Sequence, residues 1–145
     1  MQDFIRRYGD VRSKRAFVGV FSIDMLPRHL PKLPILLILN THTKNLPGQH
    51  WKAVYINQFR RGEVFDSLAL PVSTTLLRWL NQHTKSWTRN QLTIQNPLSA
   101  TCGAFVTHYI LTRMKCRNMR QYFNLFSYDL SFNDRLMRAF VKNLK

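Results

Sequence analysis

The chain has 145 residues, 45% of them hydrophobic and 12% aromatic, so it can bury one core of ordinary domain size and is too apolar to remain disordered. With 5 Gly and 6 Pro it is neither collagenous nor of low complexity, and its 2 cysteines exclude a disulfide framework. The 22 Lys and Arg against 7 Asp and Glu give a net charge of +15 at pH 7, which points to a polyanionic partner, nucleic acid ahead of an acidic membrane surface, with a merely solvated basic surface as the plain alternative.

No repeat or Gly/Ser linker divides the sequence, so residues 1–145 read as one domain, with 1–18 as a basic N-terminal arm and 118–145 as a helical C-terminal part. Gln2 to Tyr8 fits a short helix, and the basic Arg12-Ser13-Lys14-Arg15 fits the arm. Three prolines, Pro27, Pro31 and Pro34, precede Ile35 to Asn40, a short apolar run bounded by breakers and therefore a buried strand. Its apolar core, Ile35 to Leu39, falls far short of the roughly 20 residues that span a bilayer, and the opening segment lacks a secretory core. A soluble intracellular protein with no membrane partner is expected. A polar loop over 41–49 leads to a β-prone run from His50, Arg61-Gly62 signals a turn, and residues 62–68 continue as a strand, predicting an antiparallel hairpin with Asp66 at its end. Leu76, Leu77, Trp79 and Leu80 suit a helix over 73–84 capped by Ser73 or Thr74. Gln91 to Ile94 reads as a fourth strand, residues 95–101 as a loop, and 102–114 as a buried helix opened by Cys102. A last helix follows a cap at Ser131 to Asp134, with Leu136, Met137, Phe140, Val141 and Leu144 at helical spacing.

The acids are placed unevenly: from Met25 to Tyr128 the only carboxylates are Glu63 and Asp66, so carboxylate chemistry in mid-chain must use one of them. Cys102 at a helix start would have its thiolate favoured by unpaired N–H groups and the positive dipole end, and Gly103 beside it leaves the sulfur unobstructed; the alternative is a small core cysteine. A cysteine nucleophile needs a histidine to take its proton and a third group to orient the imidazole. Of the five histidines, His29, His42 and His83 sit in surface-like contexts. His108 lies about 240° around the helix from Cys102, so it points elsewhere. His50, at a strand start with Asp66 at the end of the paired strand, fits the base, although it also fits an ordinary polar residue. Gln95, seven residues before Cys102, can bring a side-chain amide to a developing oxyanion or sit solvated in its loop. No C-x-x-C is present, so no metal or small-molecule cofactor is expected.

The runs Gly48-Gln49-His50-Trp51, Phe65-Asp66-Ser67 and Gln95-Asn96-Pro97-Leu98-Ser99-Ala100-Thr101-Cys102-Gly103, in the order His, Asp, Gln, Cys, resemble the signature of the adenovirus protease, or adenain, family, within the wider clan of SUMO-specific cysteine proteases. The likeness runs from about Gly19 to Thr112; the C-terminal segment looks more like the compact proteases of virophages and Polinton or Maverick elements. It implies an α+β, papain-like fold: a small mixed or antiparallel sheet packed against a central helix that carries the nucleophile, with further helices. It implies His50 as general base, Asp66 as its orienter, Cys102 as nucleophile and Gln95 as oxyanion donor. Trp51 would narrow the substrate groove beside Gly103.

By the same resemblance, the function is a cysteine endopeptidase maturing viral capsid or core precursors near Gly-rich sites, as a monomer in the virion or the infected cell, with DNA as activator. The rivals are an isopeptidase acting on ubiquitin-like modifiers and a non-catalytic basic DNA-binding virion protein. Adenain is also activated by a peptide disulfide-linked upstream of its nucleophile; here no cysteine precedes Cys102, and Cys116 would lie about 21 Å away along one helix, so neither that link nor a Cys102–Cys116 disulfide is expected. Sequence-independent phosphate contacts are expected from Arg6, Arg7, Arg12, Lys14, Arg15, Arg60, Arg61, Arg113, Lys115, Arg117 and Arg120, joined by Arg135, Arg138, Lys142 and Lys145.

Overall fold

Strand Ile35–Asn40, the apolar run expected from the sequence, is buried along its whole length and is covered on both faces, so it sits inside a layered structure. A computed structural model describes residues 1–42 and 50–144. Five strands form one mixed sheet in chain order: β1 (Phe17–Ser22), β2 (Ile35–Asn40), β3 (Trp51–Ile56), β4 (Arg61–Phe65) and β5 (Ser86–Arg89). The outer pairs β1/β2 and β4/β5 are parallel, and β2/β3 and β3/β4 are antiparallel.

The alternation of side chains along the strands separates two cores. On one face Leu36, Ile38, Ala53 and Phe65 pack against Phe105, Val106, Tyr109 and Ile110 of a helix over Cys102–Thr112. On the other, Ile35, Leu37, Leu39, Val54, Ile56 and Val64 pack against Leu76, Trp79 and Leu80 of a helix over Thr74–His83. In chain order the helices are α1 (Gln2–Tyr8), α2 (Val11–Ala16), α3 (Thr74–His83), α4 (Cys102–Thr112), α5 (Met119–Phe123) and α6 (Leu130–Leu144). Helices α1, α2 and α6 gather around α4, burying Ile5, Ala16 and Met137 in its cluster. α4 is buried nearly all round, as its continuous apolar sequence requires.

The short helix α1, the hairpin β3–β4, helix α3 with Ser73 as its cap, and the long helix from Cys102 all form as expected. Five local expectations are corrected. Residues 12–15 are no arm: the Asp10 side chain accepts from Ser13 N at 2.7 Å and caps α2, whose Ser13 and Ala16 are buried. The following run, residues 17–22, forms β1, an edge strand not expected from the sequence, with its register slipping between Phe17 and Gly19. The hairpin turn is at Asn57 to Arg60 rather than Arg61-Gly62; Asn57 Oδ1 accepts from Phe59 N and Arg61 N, and Arg60 takes φ 64°. The fourth strand expected at Gln91–Ile94 is instead Ser86–Arg89; Leu92 is left exposed, and Ile94 and Gln95 give their N–H groups to the Ser67 carbonyl. Finally, α6 is capped by Asp129, which accepts from Phe132 N at 3.1 Å, so Ser131 to Asp134 lie inside the helix and do not cap it. The expected loop over 41–49 lies largely outside the described residues, as do Gly48, Gln49 and Lys145.

Candidate active site

The sheet delivers His50 and Asp66 to one end: His50 stands immediately before β3, and Asp66 immediately after its partner β4, with Ala53 opposite Phe65 setting the register. Sixteen residues apart in sequence, they meet at 2.6 Å, His50 Nε2–H donating to Asp66 Oδ1. Asp66 is buried and held from every side. Its Oδ1 also accepts from Leu68 N at 2.8 Å, and its Oδ2 from Leu70 N at 3.2 Å. Asn90 grips its backbone, accepting from Asp66 N at 2.9 Å and donating to its carbonyl at 2.7 Å.

Lys52 completes this shell. On β3 it faces away from Trp51, lies 4% exposed, donates to the Pro71 carbonyl at 3.0 Å and stands 3.3 Å from Asp66 Oδ2. Neither Lys52 nor Asn90 was picked out by sequence reasoning. A lysine inside an otherwise apolar strand, next to the candidate base, was the available signal; Asn90 gave none.

Helix α4 supplies the sulfur. Cys102 is its first residue, and the preceding Thr101 makes no side-chain cap, so the first-turn N–H groups are left to other acceptors. The thiol lies close enough to His50 and to the Trp51 and Gly103 backbone N–H groups to be electrostatically coupled to them. With Nε2 committed to Asp66, Nδ1 is the ring nitrogen left for the sulfur. Burial pushes the thiol up, but the His50 hydrogen bond, the two N–H groups and the His50 charge together hold it below its ordinary value of 9.0. For His50, burial favours the neutral ring, and the hydrogen bonds to Asp66 and Cys102 with their charges overcome it, raising the imidazole from 6.5 to about 9. Burial likewise works against the Asp66 carboxylate, yet the His50 hydrogen bond and charge, Lys52 and Leu68 N–H hold it below its ordinary range. The three shifts agree in direction: they favour a thiolate–imidazolium pair braced by an ionised Asp66.

Gln95 reaches the same end of the molecule from the loop before α4. It is 1% exposed, so it is not a solvated loop residue. Ser67 Oγ donates to its Oε1 at 2.5 Å, which fixes the amide's orientation and leaves Nε2 as the donor end, directed to the Ser99 carbonyl at 3.1 Å and Ser99 Oγ at 3.3 Å. Trp51 packs on the α4 face of the sheet, its Cδ1 at 3.8 Å from where a Gly103 methyl would stand, so packing alone does not demand a glycine there. A groove of about 460 Å³ opens past Gly103 between α1, α4 and α6, lined by Phe4, Ala104, Thr107, Arg138 and Lys142 among others.

The other candidates lie elsewhere. His108 hydrogen-bonds Tyr122 Oη at 2.8 Å among Phe126 and Phe140, and burial first, then Lys115, lowers it to about 4: a neutral core histidine. Cys116 is a free thiol at the end of the turn after α4. Among the expected phosphate-binding residues, Arg113 is corrected: it is 5% exposed, forks onto Glu63 with Nε at 2.9 and 3.0 Å, and stacks 5.0 Å from the Tyr55 ring centroid, so its charge is spent inside the protein. Arg6, Arg7, Arg12, Lys14, Arg15, Arg60, Arg61, Lys115, Arg117 and Arg120 are exposed. Among the described residues no cluster of three or more His, Cys, Asp or Glu is arranged to hold a metal ion.

No protein-family model matches the chain, and no curated protein matches it in sequence. Solved structures do match in fold. The ASFV pS273R protease superposes with a TM-score of 0.51 at 19% identity, over 69% of this chain and 41% of that one. ChlaDub1 from Chlamydia trachomatis superposes with a TM-score of 0.55 at 18% identity, over 77% of this chain and 58% of that one. The chain thus spans between two-fifths and three-fifths of the length of these proteins. With its mixed five-stranded sheet and the helix opened by Cys102, the chain shares the α+β fold of these two structures.

Proposed function

We propose that the chain is a cysteine endopeptidase in which Cys102 is the nucleophile, His50 the general base and acid, Asp66 its orienter and Gln95 an oxyanion donor. The observation that carries this reading is the 2.6 Å hydrogen bond from His50 to Asp66, with the Cys102 thiol electrostatically coupled to the same imidazole and its neighbours Thr101 and Gly103 lining an open groove. The thiolate attacks the peptide carbonyl carbon, and the oxygen takes up negative charge. That charge is met by the N–H groups at the start of α4 and the Gln95 amide. As the C–N bond breaks, imidazolium His50 gives its proton to the departing amine, leaving a thioester on Cys102. His50 then takes a proton from water, whose oxygen attacks the thioester and frees the acid and the sulfur. Asp66 holds the ring with Nδ1 toward the sulfur throughout and stays ionised.

Substrate would cross Gly103 into the α1–α4–α6 groove, with Trp51 over the scissile bond favouring small residues there. Structural precursors of a virus or virus-like element are the proposed substrates. The motif likeness to adenain supports this, as does the fold shared with a viral protease. DNA is the proposed activator, supported by the +15 charge and by the exposed cations of α1 and α2 and the segment after α4. Infected-cell and virion location, and action as a monomer, belong to the same proposal.

The test is turnover of fluorogenic peptides ending in glycine at the scissile bond. Wild-type protein is expected to cleave them, and Cys102→Ala to lose cleavage while keeping its circular dichroism spectrum. Cleavage that survives Cys102→Ala refutes the assignment. Parallel incubation with isopeptide-linked ubiquitin-like modifiers and with the structural proteins encoded beside it separates the isopeptidase reading from the maturation reading.

A further inference from the structure

Helix α6 lies beyond the part of the chain that carries the motif likeness, yet its N-terminal end grips the loop before the nucleophile at both ends. Asn133 Nδ2 donates to the Ile94 carbonyl at 3.0 Å, one residue before Gln95. Asp134, a carboxylate only 3% exposed, accepts from Thr101 Oγ1 at 2.9 Å, one residue before Cys102, and from Asn96 N at 3.4 Å. Asp134 needs such donors because a buried carboxylate without them would be costly. Its position relative to the site gives it a second consequence.

We propose that Asp134 is a positioning residue for the oxyanion side of the site, acting through Thr101 and Ser99 on the Gln95 amide; the proposal rests on the peptidase reading above. An ionised carboxylate only accepts, so the single Thr101 hydroxyl proton goes to Asp134. Thr101 Oγ1 then has only lone pairs to offer Ser99 Oγ, 2.8 Å away. The Ser99 proton has two acceptors at 2.8 Å, Thr101 Oγ1 and the Asn96 carbonyl, and in both arrangements the Ser99 oxygen keeps a lone pair for Gln95 Nε2 at 3.3 Å. When Ser99 donates to Thr101, every donor from Gln95 onward points to the one buried charge, and each bond polarises the next. At the far end, Ser67 pins the amide oxygen at 2.5 Å. Both Nε2 contacts are to Ser99, so one N–H can serve that residue while the other stays free for the oxyanion. The same bond to Asp134 keeps the Thr101 hydroxyl from capping α4, whose first-turn N–H groups stay open beside Cys102.

The experiment compares two reactions of the full chain: turnover of the glycine-ended fluorogenic peptides, which needs an oxyanion donor, and alkylation of Cys102 by iodoacetamide, a displacement at saturated carbon that needs none. Asp134→Ala is expected to lower kcat by about 10-fold or more, because small misplacements of a positioned group are costly. KM and the alkylation rate should stay within about three-fold of wild type, a margin far below the loss from removing an oxyanion donor outright. Asp134→Asn, which keeps an acceptor for Thr101, should retain more kcat than Asp134→Ala. Thr101→Val breaks the relay without removing the carboxylate or adding a cap; it should reproduce the kcat loss, and the double variant should be no worse than either single one, because both cut one chain. Unchanged kcat in both single variants, kcat and alkylation falling in proportion, or independent multiplying losses would each overturn the proposal while leaving the peptidase reading standing. Absence of wild-type turnover would overturn the reading, and the proposal with it.

Discussion

Asp66→Asn tests the electrostatics of the His50 pair. The rise of the imidazole from 6.5 to about 9, at 1.36 kcal/mol per unit, corresponds to about 3 kcal/mol of net preference for the charged ring. Burial opposes that preference, so the partners supply all of it and more, and Asp66 contributes both a hydrogen bond and a charge. An asparagine cannot replace it in either orientation. With its amide nitrogen at the Oδ2 position it faces two donors, Leu70 N–H and the Lys52 ammonium. Flipped, the nitrogen faces His50 Nε2 and Leu68 N–H, which forces the wrong imidazole tautomer. kcat is expected to fall about 10²- to 10⁴-fold, the upper figure being the cost of the same change in a serine protease triad. Since Asp66 raises the imidazole, its loss lowers it, so the alkaline limb of the pH–kcat profile should move from near 9 toward or below the ordinary value of 6.5. The assay is peptide turnover across buffers of constant ionic strength. An alkaline limb that stays in place in the variant refutes the role given to Asp66.

Gln95→Ala should lower kcat by about 10²- to 10³-fold with KM little changed, since its hydrogen bond is strengthened in the transition state; an unchanged kcat in steady-state assays would remove it from the oxyanion site. Arg113→Met leaves the half-buried Glu63 without its fork and should destabilise the fold by up to about 3 kcal/mol in urea unfolding, with Glu63→Leu/Arg113→Met less destabilised than the single variant. The same Arg113→Met protein should bind a random DNA duplex as wild type does, whereas Arg12→Ala and Lys115→Ala should weaken binding; equal losses would put Arg113 back on the surface. Affinity for that duplex should fall linearly in log salt, and addition of the duplex at about 50 mM salt should raise the cleavage rate; a flat slope contradicts the binding, and a steep slope without acceleration contradicts activation.

The residues of the proposed site were legible because each is tied to a strong local signal: a strand start, a strand end, a helix start and a fixed step before it. The hairpin and α4 follow from apolar pattern alone, and that pattern brings His50, Asp66 and Cys102 to one end once the strands pair. Side chains acting at long range left no such signal. Asn90 and Asp134 make their contacts 24 and 33 residues away in sequence, and the partner of Arg113 lies 50 residues off. A count of charges therefore placed Arg113 with the surface cations, although Glu63, one of two mid-chain acids, was waiting for a buried partner. The strand misplaced at Gln91–Ile94 has the same origin. Its apolar Leu and Ile look β-prone, but parallel pairing with β4 selects Ser86–Arg89, and Asn90 must leave the sheet to hold Asp66.

The nucleophile can be tested directly by incubating the intact protein with a peptidyl electrophile ending in glycine, then digesting it and mapping the adduct by mass spectrometry. One equivalent on Cys102, none on Cys116, labelling far faster than a free cysteine and a collapse of that rate in His50→Ala are the expected result. An adduct on Cys116, or labelling of Cys102 no faster than a free thiol and indifferent to His50, would contradict it.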